Sequence, residues 1–292
     1  MSFWKPLRRA LIALVVASAS ARPATAQTPR TPEPAYERVT FPSATETPVT
    51  IKALLLKPAG QTQPHATVVM LHGCGGLFTR SGRVSKREVD WSQRFQAAGY
   101  AVLLVDSFGS RGLGPQCTVS ERAIRPPNRA RDVQGAIEWL ATQPWADRGR
   151  IAVIGWSNGG STVLNYVRQE FAPKAAGANV RLALAIYPGC RVFSDRPGPR
   201  TSLPLEIHMG SADDWTPPEP CIELGKTWNV PVTLYPGAYH GFDAPDNPIR
   251  VRTGLAFSKN GDGRAHVGTH PEARAKLIEA VLARLNSSLR RQ

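Results

Sequence analysis

The sequence predicts an α/β fold, a mostly parallel eight-stranded sheet with helices on both faces. Three observations predict it. Apolar runs alternate with helical patterns from residue 37 onward. The later runs are unbroken Val, Ile, Leu and Ala, as expected of strands covered on both faces. The length suits one large domain with a single core.

The elements follow in order. Strands are expected at Glu37 to Phe41, Val49 to Leu56, Ala66 to Leu71, Tyr100 to Val105, Arg150 to Gly155, Val180 to Tyr187, Leu203 to Met209 and Val230 to Tyr235. The first two pair naturally as an antiparallel edge. Helices are expected at Val84 to Ala98, which carries Trp91 on one face, and at Arg129 to Thr142, Gly159 to Glu170, Pro217 to Lys226 and Pro271 to Asn286. The last of these places Pro271 in a first turn and spaces Leu277, Ile278, Val281, Leu282 and Leu285 as a packed amphipathic helix does. Between Asp243 and His270 lies a long irregular stretch, read equally as a lid or substrate loop and as surface packing. The 26 prolines sit mostly between elements, and no internal repeat or linker divides the chain.

The N-terminus reads as a secretory signal peptide over residues 1–26. It carries Lys5, Arg8 and Arg9, then the apolar run Ala10 to Ala17, then small residues ending in Ala24, Thr25 and Ala26. The apolar run is too short to cross about 30 Å of hydrocarbon, so no integral membrane segment is expected after cleavage. Residues 27–36 form a Pro/Thr/Ala-rich disordered lead-in, and 37–292 the folded domain. Cleavage before Gln27 removes four basic residues (Lys5, Arg8, Arg9, Arg22) and no acid, lowering the net charge from +14 to +10. The arginines are scattered and lack interleaved aromatics, which argues against nucleic acid as a partner. A periplasmic or secreted location permits disulfides among Cys74, Cys117, Cys190 and Cys221, for which three connectivities exist. No CxxC or clustered histidine accompanies them, so neither metal nor cofactor is expected.

Chemistry enters at IAVIGWSNGG, residues 151–160. A strand feeds Gly155, Trp156, Ser157, Asn158 and Gly159, the G-x-S-x-G context in which a serine projects from a sharp strand-to-helix turn. A serine hydroxyl needs a base to take its proton and a carboxylate to orient that base. Downstream, GSADDWTP places Asp213 three residues beyond Gly210, with Asp214 as rival; VTLYPGAYHGFD places His240 just past a strand. His208 lies inside a strand as an interior residue, and His266 and His270 precede the final helix. Both Asp213 and His240 would stand at carboxyl ends of neighbouring strands, where ligands bind in open α/β sheets. Oxyanion donors are expected from the backbone N–H of Asn158 and from the loop His72 to Gly76, at Cys74 with Gly75 as the alternative.

Together, HGCGG at 72–76, DSFGSRG at 106–112, GWSNGG at 155–160, GSADDWTP at 210–217 and YHGF at 239–242 resemble the dienelactone hydrolase family of α/β-hydrolases, over nearly all of the chain after the leader. The resemblance implies Ser157, Asp213 and His240 as a triad. The family's namesake enzymes use a cysteine nucleophile, so serine here points to a general carboxylic ester hydrolase acting on a small-molecule ester. A peptidase of the same fold and a catalytically silent ligand-binding homologue are the alternatives. Arg111 suits either a substrate carboxylate or a structural ion pair, and Trp156 and Trp215 flank the site as candidate substrate contacts. The implied fold also suggests the disulfides Cys74 to Cys117 and Cys190 to Cys221, each pair on adjacent loops of the catalytic edge.

Overall fold

Eight strands form the central sheet of the computed structural model, in the order β1-β2-β4-β3-β5-β6-β7-β8. They are β1 Glu37–Pro42, β2 Thr50–Leu56, β3 His65–Leu71, β4 Ala101–Asp106, β5 Ala146–Trp156, β6 Val180–Ile186, β7 Leu205–Gly210 and β8 Val232–Tyr235. The structure describes all residues except 4–32, 61–63, 169–177, 195, 197, 199–202, 291 and 292. The expected signal peptide beyond its first three residues and most of the expected lead-in therefore lie outside the described residues, as does the end of the helix expected to run to Glu170. Residues from Glu33 onward fold as one unit.

Only β2 runs against its neighbours: it pairs antiparallel with β1 and with β4, and every later pairing is parallel. Every residue of β3 and of β4 is buried. Successive side chains point to opposite faces of a strand, so complete burial means that both faces are covered. Among the described residues five α-helices provide the cover: α1 Lys86–Ala97, α2 Pro126–Ala141, α3 Asn158–Arg168, α4 Glu219–Trp228 and α5 Pro271–Ser288. Their apolar stripes pack Trp91 and Phe95 of α1, Val133, Ile137 and Leu140 of α2, and Leu277, Val281 and Leu285 of α5 into the core.

Proline and capping residues set the starts of two helices. α2 begins three residues before the expected Arg129, because Pro126 and Pro127 fit a first turn, where no N–H is required, and the Asn128 side chain accepts from Arg125 N–H at 3.1 Å. α5 starts at Pro271 with His270 as its cap, the imidazole accepting from Ala273 N–H at 3.3 Å. The stretch 243–270 is less irregular than its sequence suggests. It contains a two-stranded antiparallel ribbon, β9 Arg250–Arg252 with β10 Ala265–Val267.

His208 on β7 is interior, as expected, and its Nδ1 meets the Tyr235 hydroxyl at 3.0 Å. Burial pushes its pKa down to about 4; the Glu206 carboxylate, 3.8 Å from Nε2, is too distant to hydrogen-bond. An unfolded histidine titrates near 6.5, so the unfolded chain takes up this proton first. The contribution of neutral His208 is therefore complete above about pH 6.5 and lost as pH falls toward 4, on the order of 3 kcal/mol in total. His208→Gln should flatten the pH dependence of the urea midpoint over that window; an unchanged slope would assign acid sensitivity to other groups.

Candidate active site

Ser157 occupies the hinge between β5 and α3 with φ 54°, a left-handed backbone that a side-chain-bearing residue adopts only under constraint. Its N–H donates to Ile186 O at 2.8 Å, tying the turn to β6. The flanking glycines are required by the backbone itself. A Cβ on Gly155 would lie 2.3 Å from Gly159 O, and one on Gly159 would lie 2.1 Å from Leu71 O.

The structure brings Ser157, His240 and Asp213 into one hydrogen-bonded line. His240 Nε2 meets Ser157 Oγ at 2.9 Å, and Nδ1 meets Asp213 Oδ2 at 2.8 Å. Asp213 is buried, and its charge is met on both oxygens. Oδ1 accepts from the N–H of Trp215 (2.9 Å) and of Thr216 (2.8 Å), while the Thr216 hydroxyl donates to Oδ2 at 3.0 Å. A carboxylate so fixed holds the proton on Nδ1 and leaves the Nε2 lone pair toward the serine. Asp214 points elsewhere: it accepts from His266 N–H at 2.8 Å and pairs with that imidazole at 2.7 Å, pinning the 243–270 stretch to the loop after β7.

The loop His72–Gly76 leaves β3 beside the serine; a Cβ on Gly73 would sit 3.5 Å from Ser157 Cβ. Arg129 of α2, fully buried, fastens this loop to the start of α3 by donating to His72 O at 2.9 Å and Asn158 Oδ1 at 2.5 Å. Burial lowers its pKa to about 10, with Asp132 and Asp106 opposing the shift. Cys74, Ser157 and Asn158 share a cavity of about 640 Å³, walled also by Trp215, Pro217 and Phe257. Four arginines, Arg122, Arg125, Arg191 and Arg196, complete the lining, which contains no carboxylate among the described residues. Both disulfides anchor this wall: Cys74 pairs with Cys117, and Cys190 with Cys221, the pairing that the loop positions suggested.

Two of the three candidate substrate contacts fall elsewhere. Both guanidinium ends of Arg111 are taken by Asp132 (3.0 and 2.8 Å), with Ser107 O at 2.9 Å, and Arg111 borders a separate depression with Glu46 and Asn128. The planar fork that suits a substrate carboxylate is thus spent on an internal one. Trp156 is fully buried behind the serine, its indole donating to Asp243 Oδ2 at 2.8 Å, so it cannot meet a substrate in the cavity. Trp215 does line the cavity, with its ring 4.6 Å from His240 and the Arg252 guanidinium 5.2 Å from its own centroid. Sequence reasoning missed Arg129, Thr216, Tyr187 and Asp243. Only the last carries a local signal, three residues after His240 in YHGFD.

Among the described residues, no three His, Cys, Asp or Glu side chains converge as metal ligands, and no helix is long and apolar enough to cross a membrane.

The strand order, with a serine hinge after β5, an acid after β7 and a histidine after β8, defines an α/β-hydrolase. The dienelactone hydrolase family profile matches residues 51–288. The chain belongs to that family. In three dimensions it resembles a dienelactone hydrolase from Anabaena variabilis (TM-score 0.58, 16% identity, 88% of this chain and 100% of that one). It also resembles an esterase from the planctomycete Thermogutta terrifontis (TM-score 0.58, 15% identity, 87% and 92%). At these identities the likeness is one of fold. A protein of Fusarium vanettenii described as "Probable dipeptidyl-aminopeptidase B" is 34% identical over 122 residues, which is 41% of this chain but 13% of that protein's length.

Proposed function

We propose that the protein is an exported serine hydrolase that cleaves a carboxylic ester or lactone through an acyl-enzyme. The observation that carries this reading is the unbroken line from Ser157 Oγ through His240 to Asp213 at one end of a cavity. Ser157 Oγ bonds to the acyl carbon while its proton passes to His240 Nε2. The carbonyl oxygen becomes an oxyanion, to which the N–H groups of Cys74 and Asn158, both residues of the cavity lining, would donate. Collapse breaks the bond to the alcohol, which leaves with the proton from Nε2. Water then repeats the cycle on the acyl group and restores Ser157. Asp213 orients the imidazole and stabilises its cationic form. Export to the periplasm or cell exterior is supported by the basic-apolar leader and the two disulfides.

The four arginines, in a lining that holds no carboxylate among the described residues, support a substrate with an anionic arm, such as the monoester of a dicarboxylic acid. Labelling the chain from residue 27 with a fluorophosphonate should mark Ser157, and absence of labelling would favour the silent homologue. In a matched panel, the mono-4-nitrophenyl ester of glutaric acid should exceed its methyl-capped diester in kcat/KM by about tenfold at low salt, less at high salt. Equal values would remove the anionic arm from the reading. The relation to dipeptidyl-aminopeptidases favours a peptidase as second reading. Cleavage of dipeptide 4-nitroanilides with inert esters would select it.

A further inference from the structure

Beneath the Ser157–His240 contact lies a buried polar cluster that the acyl-transfer steps do not use. Its centre is Asp243, fully buried. Oδ2 accepts from two indoles, Trp91 of α1 at 2.7 Å and Trp156 of β5 at 2.8 Å. Oδ1 accepts from the Tyr187 hydroxyl at 2.5 Å. Arg87 reaches the same hydroxyl at 3.3 Å and is itself paired with Glu88 at 2.5 Å.

Each partner touches the reacting line at a different point. Trp156 immediately precedes Ser157, so anchoring its indole fixes the strand that presents the nucleophile. Asp243 follows His240 by three residues, so the same carboxylate fixes the loop that presents the base. Tyr187 sits at the end of β6 with φ 36°, a strained backbone for a bulky residue. Its ring lies 4.6 Å from the His240 ring, on which Trp215 also packs at 4.6 Å. Its carbonyl lies 3.1 Å from the hydroxyl oxygen of Thr216, whose proton goes to Asp213, and that oxygen also lies 3.1 Å from His240 Nδ1. Burial, and then Asp243, raise the pKa of Tyr187 well above its ordinary value, so the phenol stays a donor.

We infer that Asp243 and Tyr187 form a positioning pair that sets the separation and ring orientation of His240 relative to Ser157. Burying a carboxylate is expensive, and a packing role alone would be filled by an apolar side chain. Three neutral donors converging on one carboxylate give direction that apolar contact lacks. The circuit from Ser157 through Trp156, Asp243 and the short peptide back to His240 is closed, so neither end can shift without breaking a buried hydrogen bond. The inference rests on the serine-hydrolase reading for its effect on rate, but not for its effect on His240 geometry.

The test uses Tyr187→Phe, which deletes one oxygen and keeps the ring, and Asp243→Asn, which keeps the shape and removes the charge. Kinetics on a neutral 4-nitrophenyl ester and the downfield proton resonance of the His240–Asp213 hydrogen bond are read together, beside thermal unfolding. In both variants kcat should fall about tenfold or more with KM within about twofold, and the downfield proton should broaden or shift, while the chain stays folded. Unchanged kcat and an unchanged resonance in folded Tyr187→Phe would overturn the inference. Should Asp243→Asn fail to fold, Tyr187→Phe decides. Should the wild type hydrolyse no ester, the proposed function falls, and the resonance alone decides the positioning role.

Discussion

Ser157→Ala is expected to lower ester turnover by about 10⁴-fold or more, with the fold intact. The hydroxyl contributes little to packing, and its loss leaves His240 tied to Asp213 at 2.8 Å. What disappears is the attacking oxygen. Any residual rate would come from substrate binding in the cavity and from the proposed oxyanion donors acting on the substrate carbonyl as water attacks it. His240→Ala should fall to a similar level, and combining the two should add almost nothing, since the groups act as one unit. Steady-state kinetics of the purified variants checks this. Turnover of Ser157→Ala within tenfold of the wild type would require another nucleophile and end the proposed mechanism.

Gly159→Ala is expected to carry the largest stability effect of any single methyl addition near the site, about 3 kcal/mol or more. The new Cβ would stand 2.1 Å from Leu71 O and 2.8 Å from His72 O, both backbone atoms that no rotamer change can move. Relief would require α3 to lift away from the end of β3, parting the serine hinge from the loop that carries Cys74. Gly75→Ala provides the contrast, because nothing lies within 4 Å of the point its methyl group would occupy; its stability should stay within about 0.5 kcal/mol of the wild type. Denaturant midpoints for the two variants, measured side by side, test the pair of expectations. Equal midpoints would mean that the hinge relaxes more easily than this packing allows.

The parts of the molecule legible in the sequence are those in which local chemistry and tertiary role coincide. β3 to β7 are readable because a strand covered on both faces must be apolar throughout most of its length. The serine hinge is readable because only glycine fits at 155 and 159. Asp213 could be ranked above Asp214 from its distance to the strand end at Gly210, although the rank did not reveal that Asp214 would hold His266. The ribbon β9–β10 is invisible in sequence: its strands, Arg-Val-Arg and Ala-His-Val, alternate polar and apolar residues over three positions only, too few to stand out from a loop. Arg111 and Trp156 illustrate a different limit. Both residue types suit substrate binding, and only the position of Asp132 and Asp243 decides that each is occupied inside the protein. Arg129 and Tyr187 act through neighbours distant in sequence, so no local pattern announces them.

The disulfides have a consequence for when the protein becomes competent. Cys74 stands in the loop after β3 and Cys190 in the loop after β6, both in the cavity lining, so oxidation stitches that lining to the loop at Cys117 and to α4 at Cys221. A newly made chain in a thiol-reducing cytosol would hold Ser157, His240 and Asp213 without either stitch. On the export route proposed above, the cavity lining gains both stitches only in an oxidising compartment, so the proposed hydrolase would leave the cytosol with its site unbraced.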